Sequence, residues 1–394
     1  SLSGRAAVNL DLNTEQTILK NSAKSFLTDH CPSSLVRSSR NADEAFPAEL
    51  WQEMADMGWM GLGVDEEYEG IGGNLSDLAV LMEQMGEHTV PAPFFTSVVV
   101  CSTAIQRSSS NTVKQQVLPK MASGELISSF ALIEPDNDYG FNNIQATALS
   151  SGSDVVVNGT KLFVEYAAGV SYFLTVPTNA DGLVLLMVDA SSDGVELVDM
   201  PTLDYSKQSA VKMKDVKVPA DFVLATGAEA EEILLYLEEV SAVAKCSEML
   251  GAIQQVLDVS VEYVKDRTQF GQPVGGFQSI QHHCANMAVD VDSARYLTGL
   301  AAWKLSEGQA ATKEASMAKS FVSKVAVRVS KLGHQVHGAI SFCDEFDMLQ
   351  EHPNYGYKGS KIKLPFDKFF RLLKENKFHS LDTYINWDVI FYCN

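Results

Sequence analysis

The sequence is short of positive charge and has no paired cysteines. Thirty Lys and Arg stand against fifty Asp and Glu in 394 residues, a formal net charge of −20. A chain this acidic repels polyanions, which argues against a general nucleic-acid or anionic-membrane binder. Any anionic ligand has to be met by a local basic patch. The six cysteines, Cys31, Cys101, Cys246, Cys284, Cys343 and Cys393, are scattered without a C-x-x-C pair, which excludes a zinc ribbon and a dithiol redox motif. Reduced thiols are expected. No apolar run reaches the ~18 residues that a spanning helix needs, and no basic stretch followed by an apolar one opens the sequence. The expectation is a cytoplasmic protein with neither membrane nor nucleic-acid partners. Also missing are G-x-G-x-x-G after a strand, G-x-x-x-x-G-K-[ST] and G-x-S-x-G, so Rossmann, P-loop and hydrolase readings are weak.

Metal sites fare no better. His334 and His337 share a helix face by spacing, and His282 and His283 adjoin Cys284. Neither set includes an acidic third ligand or the H-E-x-x-H pattern, so capping or packing roles are expected and no metal is assigned.

What is present is ordinary globular composition, 46% hydrophobic and 20% charged, in a chain longer than one core usually serves. Two or three packed subdomains follow. Asn13 is placed to cap a helix in which Ile18, Leu19, Ala23, Phe26 and Leu27 recur at helical spacing. Ser76 is a second candidate cap, before Leu78, Leu81, Met82 and Met85, and Pro91 and Pro93 interrupt that helix. The period changes near Glu134. Asp154-Val155-Val156-Val157, then Asn158-Gly159, then Thr160 to Val164 predicts a hairpin, and β-rich runs recur at Tyr172–Val176, Leu183–Val188 and Val211–Val218. Helical signals return at Glu229, with long unbroken stretches at Phe277–Leu305 and Thr312–Leu332. The predicted divisions are a helical domain over 1–125, an all-β, barrel-like domain over 126–228 and a C-terminal helical bundle over 229–394. Beyond about residue 354 no element can be assigned.

One cluster carries chemistry. Arg267, Gln269 and Phe270, in the run Tyr263-Val264-Lys265-Asp266-Arg267-Thr268-Gln269-Phe270-Gly271-Gln272-Pro273, fall at the junction of two long helices. An Arg offers a bidentate fork for phosphate, a Phe a stacking face, and Gln amides can pair with ring edges. Those are parts of a nucleotide-diphosphate grip, although an Arg at such a junction also serves to cap carbonyls.

Several motifs in order resemble the acyl-CoA dehydrogenase family, over the chain to about residue 350. Leu50 to Trp59 with Glu66-Glu67-Tyr68-Glu69-Gly70 is similar to its N-terminal helical segment. Phe130-Ala131-Leu132-Ile133-Glu134-Pro135 and Asn158-Gly159-Thr160-Lys161 resemble its middle β domain, and Arg267 to Gly271 with Gln335-Val336-His337-Gly338 its C-terminal four-helix bundle. The resemblance implies an α+β multidomain fold in the order helical, β, helical. It also implies an FAD enzyme that forms a trans-2-enoyl-CoA from an acyl-CoA, a base taking the α-proton while hydride passes to flavin N5. Arg267, Gln269 and Phe270 would hold the diphosphate and adenine of FAD, and Gln335 and Gly338 would line the same dinucleotide. Glu134 and Phe163 would lie at the flavin ring. The implied partners are an electron-transfer flavoprotein and further subunits, as a homotetramer or an α2β2 heterotetramer with a second subunit of the same family.

The chain also departs from that pattern. Ile133 replaces the hydroxyl residue of Thr-Glu-Pro, Asp138-Tyr139-Gly140 stands for Gly-Ser-Asp, and Phe163 takes the place of a Trp. The family's Tyr-Glu-Gly-Thr loop, which bears the base, is missing. Counting back from Arg267 to the other family position for the base lands on Ser241, which cannot act as one. Glu248 and Glu238 on the same helix, and Glu345 and Glu351 further on, are the carboxylate candidates. A catalytically silent subunit of an α2β2 enzyme, an acyl-CoA oxidase and a carrier-protein thioester dehydrogenase remain alternatives.

Overall fold

Helix α1 (Thr14–His30) begins where Asn13 closes a reciprocal capping box. The Asn13 side chain accepts from the Gln16 N–H, and the Gln16 side chain accepts from the Asn13 N–H. Of its expected apolar face, Ala23 and Leu27 are buried, whereas Ile18 is 63% exposed. The computed structural model describes residues 10–135, 140–141, 143–202 and 205–342. Glu345, Glu351, Asp138, Tyr139 and the unassigned tail lie outside the described residues.

Helices α2 (Ser33–Arg40) and α3 (Ala48–Asp56) lead to α4 (Leu75–Glu87). Asn74, not Ser76, caps α4, because its side chain accepts from the N–H groups of Ser76 and Asp77 and Ser76 already lies in the first turn. After Pro91 and Pro93 a π-helical turn (Phe95–Cys101) runs into α5 (Ser102–Arg107), followed by α6 (Asn111–Ala122).

Among the described residues, the middle of the chain is one sheet of nine strands. They are β1 (Ser128–Ala131), β2 (Thr147–Ser151), β3 (Asp154–Glu165), β4 (Tyr172–Thr175), β5 (Thr178–Asn179), β6 (Gly182–Asp189), β7 (Val195–Asp199), β8 (Gln208–Pro219) and β9 (Val223–Thr226). The order is β1-β4-β6-β5-β2-β3-β8-β7, with β9 on β6. The sheet curls, since the Leu162 N–H in β3 donates to the Ile133 carbonyl just past β1, at 2.7 Å. Val157, Val164, Phe173, Leu186 and Val211 fill its interior.

The predicted hairpin at Asn158-Gly159 is not there. β3 continues through both residues, and the register slips between Val157 and Gly159 as a bulge. A twelve-residue strand on a curled sheet has to bend, and a bulge supplies the bend. Gly159, at φ +155, leaves room that a Cβ would lose, for it would meet Ala146 Cβ at 2.4 Å. The turn is Gly152-Ser153, between the paired residues Ser151 and Asp154, with Gly152 at φ +67.

Three long helices follow: α7 (Gly227–Asp266), α8 (Gln278–Ser306) and α9 (Thr312–His337), with the small hairpin β10 (Thr268–Gln269) and β11 (Gln272–Pro273) between α7 and α8. Helix α4 lies against α7 at backbone contact. A Cβ on Gly86 would sit 1.9 Å from the Glu248 carbonyl oxygen, and one on Gly251 would sit 1.8 Å from that of Glu83. Two glycines facing opposite ways therefore fix where the helices cross. Arg295 from α8 and Lys24 from α1 pair with Glu83 and Glu87 of α4, at 2.7 and 2.6 Å. A single apolar core runs through these helices, from Leu27 and Trp51 to Val243, Val291 and Val329. The order helical, β, helical is as expected. No helix among the described residues is long and apolar enough to cross a membrane.

Candidate active site

The crossing of α4 and α7 places two charged side chains where the surrounding sequence is small and apolar. Lys245 and Glu248 sit in the run Ser241-Ala242-Val243-Ala244-Lys245-Cys246-Ser247-Glu248, and their side chains meet at 2.6 Å. Both are largely buried. The Lys245 ammonium also lies 3.9 Å from the centroid of the Phe95 ring, on the π-helical turn. Together they border a small cavity whose other walls include Met82, Met85, Phe94, Glu165 and Tyr166. The cavity is thus apolar on the α4 side and acidic on two others. That is the composition of a site that holds a chain of methylenes beside a few polar groups.

Of the sequence candidates for a base, the structure brings Glu248 to this cavity. Glu238 lies half-buried in α7 about 15 Å nearer its start and does not line the cavity. Sequence reasoning missed Lys245 and Glu165. Lys245 was findable, as a lone cation three residues from a carboxylate within an apolar helical stretch; Glu165 was not, because only the sheet carries it there.

The nucleotide candidates gather at the C-terminal end of α7. Tyr263 Oη donates to the His337 carbonyl at 3.4 Å and the two rings lie 4.4 Å apart, which brings the end of α9, with Gln335 and Gly338, beside the end of α7. Burial pushes the His337 imidazole down, and its Nδ1 lies 2.8 Å from the Gly333 carbonyl, so this histidine packs within the bundle. Arg267, Gln269, Gln335 and Gly338 are all exposed. Phe270 is 91% exposed at φ +55, touching Phe277 edge-on. Among the described residues no carboxylate pairs with Arg267, and nothing would obstruct a Cβ on Gly338 within 4 Å. An open guanidinium, amides, a bare aromatic face and approachable backbone fit the adenosine diphosphate part of FAD.

The β-domain candidates differ from each other. Phe163, at φ +57, sits in the second bulge of β3 and is 39% exposed. Glu134 is 4% exposed. Its Oε1 lies 2.6 Å from Lys161 Nζ, and its two oxygens accept from the N–H groups of Gln145 and Ala146. Lys161 also donates to the carbonyls of Val176 and Leu132.

Family models for the acyl-CoA dehydrogenase N-terminal domain and the acyl-CoA dehydrogenase C-terminal domain match residues 13–125 and 239–355. The chain belongs to the acyl-CoA dehydrogenase family. The oxidoreductase class and the flavin cofactor expected from the motifs go with that membership. A probable acyl-CoA dehydrogenase of Bacillus subtilis, YngJ, is 29% identical over 352 residues, covering 86% of this chain and 92% of that protein. An acryloyl-CoA reductase (NADH) of Anaerotignum propionicum is 27% identical over 352 residues, covering 86% and 89%. In fold, the chain resembles a chain of the ChsE4-ChsE5 complex from Mycobacterium tuberculosis, with a TM-score of 0.86 at 20% identity, covering 94% of this chain and 99% of that one.

Proposed function

We propose that the chain works in an oligomer to dehydrogenate an acyl-CoA thioester between Cα and Cβ, with FAD as cofactor and Glu248 as the base. One observation carries this reading: the Glu248 carboxylate borders an apolar-walled cavity at a helix crossing that two glycines hold rigid. When bound, FAD supplies the acceptor for the hydride that leaves Cβ. Glu248 takes the α-proton, the Cα–H electron pair becomes the new double bond, and the trans-2-enoyl thioester leaves. The resulting carboxylic acid returns its proton to solvent. Lys245 holds the carboxylate in one orientation, and Met82, Met85 and Phe94 exclude water from the acyl chain.

Arg267, Gln269 and Phe270, with Gln335 and Gly338, would hold the diphosphate and adenine of an FAD shared with a neighbouring protomer. Phe163 would present its ring to the flavin, while Glu134 would act from behind by fixing the strand end that carries it. An electron-transfer flavoprotein is the expected electron acceptor. Glu248→Gln should leave a yellow protein that an acyl-CoA no longer bleaches. Undiminished bleaching would remove Glu248 from the role, and Glu238→Gln is the matched control.

A second reading makes this chain a silent subunit of an α2β2 enzyme, lending Arg267 and Gln335 to FAD held mainly by its partner. It is favoured by Ile133, which brings no hydroxyl to the β-domain face, and by the Lys245 ammonium already seated on Glu248. ChsE4-ChsE5 is a complex of two proteins, which makes such an arrangement reasonable for this fold. A lone chain that retains flavin and turns over would end this second reading.

A further inference from the structure

Three of the residues that border the cavity at the α4–α7 crossing carry charge: Lys245, Glu248 and Glu165. Lys245 is committed to the Glu248 carboxylate, at 2.6 Å, and to the face of Phe95, at 3.9 Å. Among the described residues no cation lies within ion-pair distance of Glu165. The remaining walls, which include Met82, Met85, Ala92 and Phe94, offer it no counter-charge. Glu165 is half-buried, and a carboxylate drawn away from water favours a cation beside it. The cavity is one positive charge short.

The end of β3 is shaped to put that carboxylate there. Phe163 and Tyr166, on either side of Glu165, adopt φ of +57 and +55, a backbone conformation that large side chains take only when their surroundings impose it. The surroundings do so here. The Tyr166 N–H donates to the Lys207 carbonyl at 2.8 Å, and the Tyr166 carbonyl accepts from the Gly169 N–H at 2.9 Å. The Glu165 carbonyl accepts from Ser129 Oγ at 2.6 Å, and Glu165 pairs with Gln208 across the β3–β8 ladder. The position of Glu165 is thus held from both sides against local backbone preference.

We propose that Glu165 selects an acyl group bearing a protonated amine on Cα, so that the substrate is a short α-aminoacyl thioester. The assignment rests on Glu248 acting as the base in the same cavity, as argued above. Glu248 has to reach the hydrogen on Cα, and in so small a cavity a group that meets Glu165 at the same time sits on Cα itself. An ammonium there supplies the missing counter-charge through a charge-assisted hydrogen bond. The Lys245 ammonium on Phe95 shows that this cavity already accommodates a cation against aromatic walls. A plain alkyl group in the same place would strip water from Glu165 and return nothing, which selects against it. The ammonium also withdraws electrons from Cα and so eases the proton transfer. The step balances as before: Glu248 takes the α-proton, the Cα–H electron pair becomes the Cα–Cβ double bond, and hydride leaves Cβ for the flavin. The product is a 2,3-didehydroaminoacyl thioester whose ammonium stays on Glu165.

The test compares two CoA thioesters of one shape, 2-aminobutanoyl and 2-methylbutanoyl, in which an ammonium replaces a methyl group. The enzyme is used with all its natural subunits and a dye as acceptor, at about pH 6, where an α-amine is charged. The natural protein should prefer the aminoacyl thioester in kcat/KM, and Glu165→Gln should shrink that preference roughly 10- to 100-fold, since a charged hydrogen bond is lost. No preference in the natural protein, or equal changes for both thioesters in the variant, would overturn the assignment. If neither thioester is oxidised, the functional reading fails first, and calorimetry with the same two thioesters then decides this one separately. Weaker binding of the aminoacyl thioester alone by Glu165→Gln sustains it, and equal or absent binding of the two ends it.

Discussion

Among the described residues, two buried lysine–glutamate pairs have the same length, 2.6 Å, and different surroundings. In the β domain, Lys161 meets two carbonyls as well as Glu134, and Glu134 meets two backbone N–H groups as well as Lys161. That pair pins the chain after β1 to the ends of β4 and of the segment entering β2. In the helical region, Lys245 meets Glu248 and the face of an aromatic ring, at the edge of a cavity. A buried pair whose remaining hydrogen-bonding capacity goes to the backbone braces the fold. One that faces free volume is open to a ligand. Desolvation makes both expensive, and only the second leaves room for chemistry to offset it.

The largest expected effect separates the two at once. Glu248→Gln should lower turnover ~10²–10⁴-fold, the range for removal of a positioned base, with flavin content unchanged; a loss below tenfold in stopped-flow bleaching would erase the distinction. Next, Lys161→Met leaves the Glu134 carboxylate buried without its cation and should cost roughly 3–5 kcal/mol in chemical denaturation. Lys245→Met should cost less than half of that, because water in the cavity can reach Glu248. Equal costs would mean that both pairs are braces.

A third buried lysine sharpens the comparison. Lys319 in α9 donates to Ser323 Oγ at 2.8 Å, and burial pushes its amine from 10.5 down to about 8. Between those values the unfolded chain binds this proton more tightly than the folded one, so the stability contributed by Lys319 rises as pH climbs from about 8 to 10.5. Below that window the charged amine is a standing penalty. Lys319→Met should accordingly raise the unfolding free energy at pH 7 by roughly 1–3 kcal/mol, an advantage that fades toward pH 10. The smallest effect on stability belongs to Phe270→Ala, within about 0.5 kcal/mol for so exposed a ring. Its visible flavin absorbance after purification should nevertheless fall. Full retention would take the ring out of the nucleotide grip.

Much of the fold was legible because it rests on local signals. The switch from helical to β period near Glu134 and back near Glu229, and the Asn13 cap, depend on neighbours in sequence. Misreadings arose where a residue has two uses. Asn158-Gly159 suits a tight turn and a bulge equally, and a curling sheet decides between them. Asn74 and Ser76 are both good caps, and only the reach of each side chain to a free N–H distinguishes them. The cavity was the least legible part. Gly86 and Gly251 touch backbones far away in sequence, and Glu165 reaches the cavity only because Ser129 and the β8 ladder hold the end of β3. The exposed elbow, by contrast, announced itself through residue chemistry, since nothing there depends on packing.

Helix α7 is an unbroken rod of forty residues, and it works as a ruler. Arg267 stands about 28 Å along it from Glu248 at 1.5 Å per residue. On a shared flavin site, the proton-accepting middle and the diphosphate-holding end of one rod would serve different cofactor molecules. Two crippled subunits, one lacking the carboxylate and one lacking the guanidinium, would then repair each other on mixing: half of the hybrid sites inherit both intact groups.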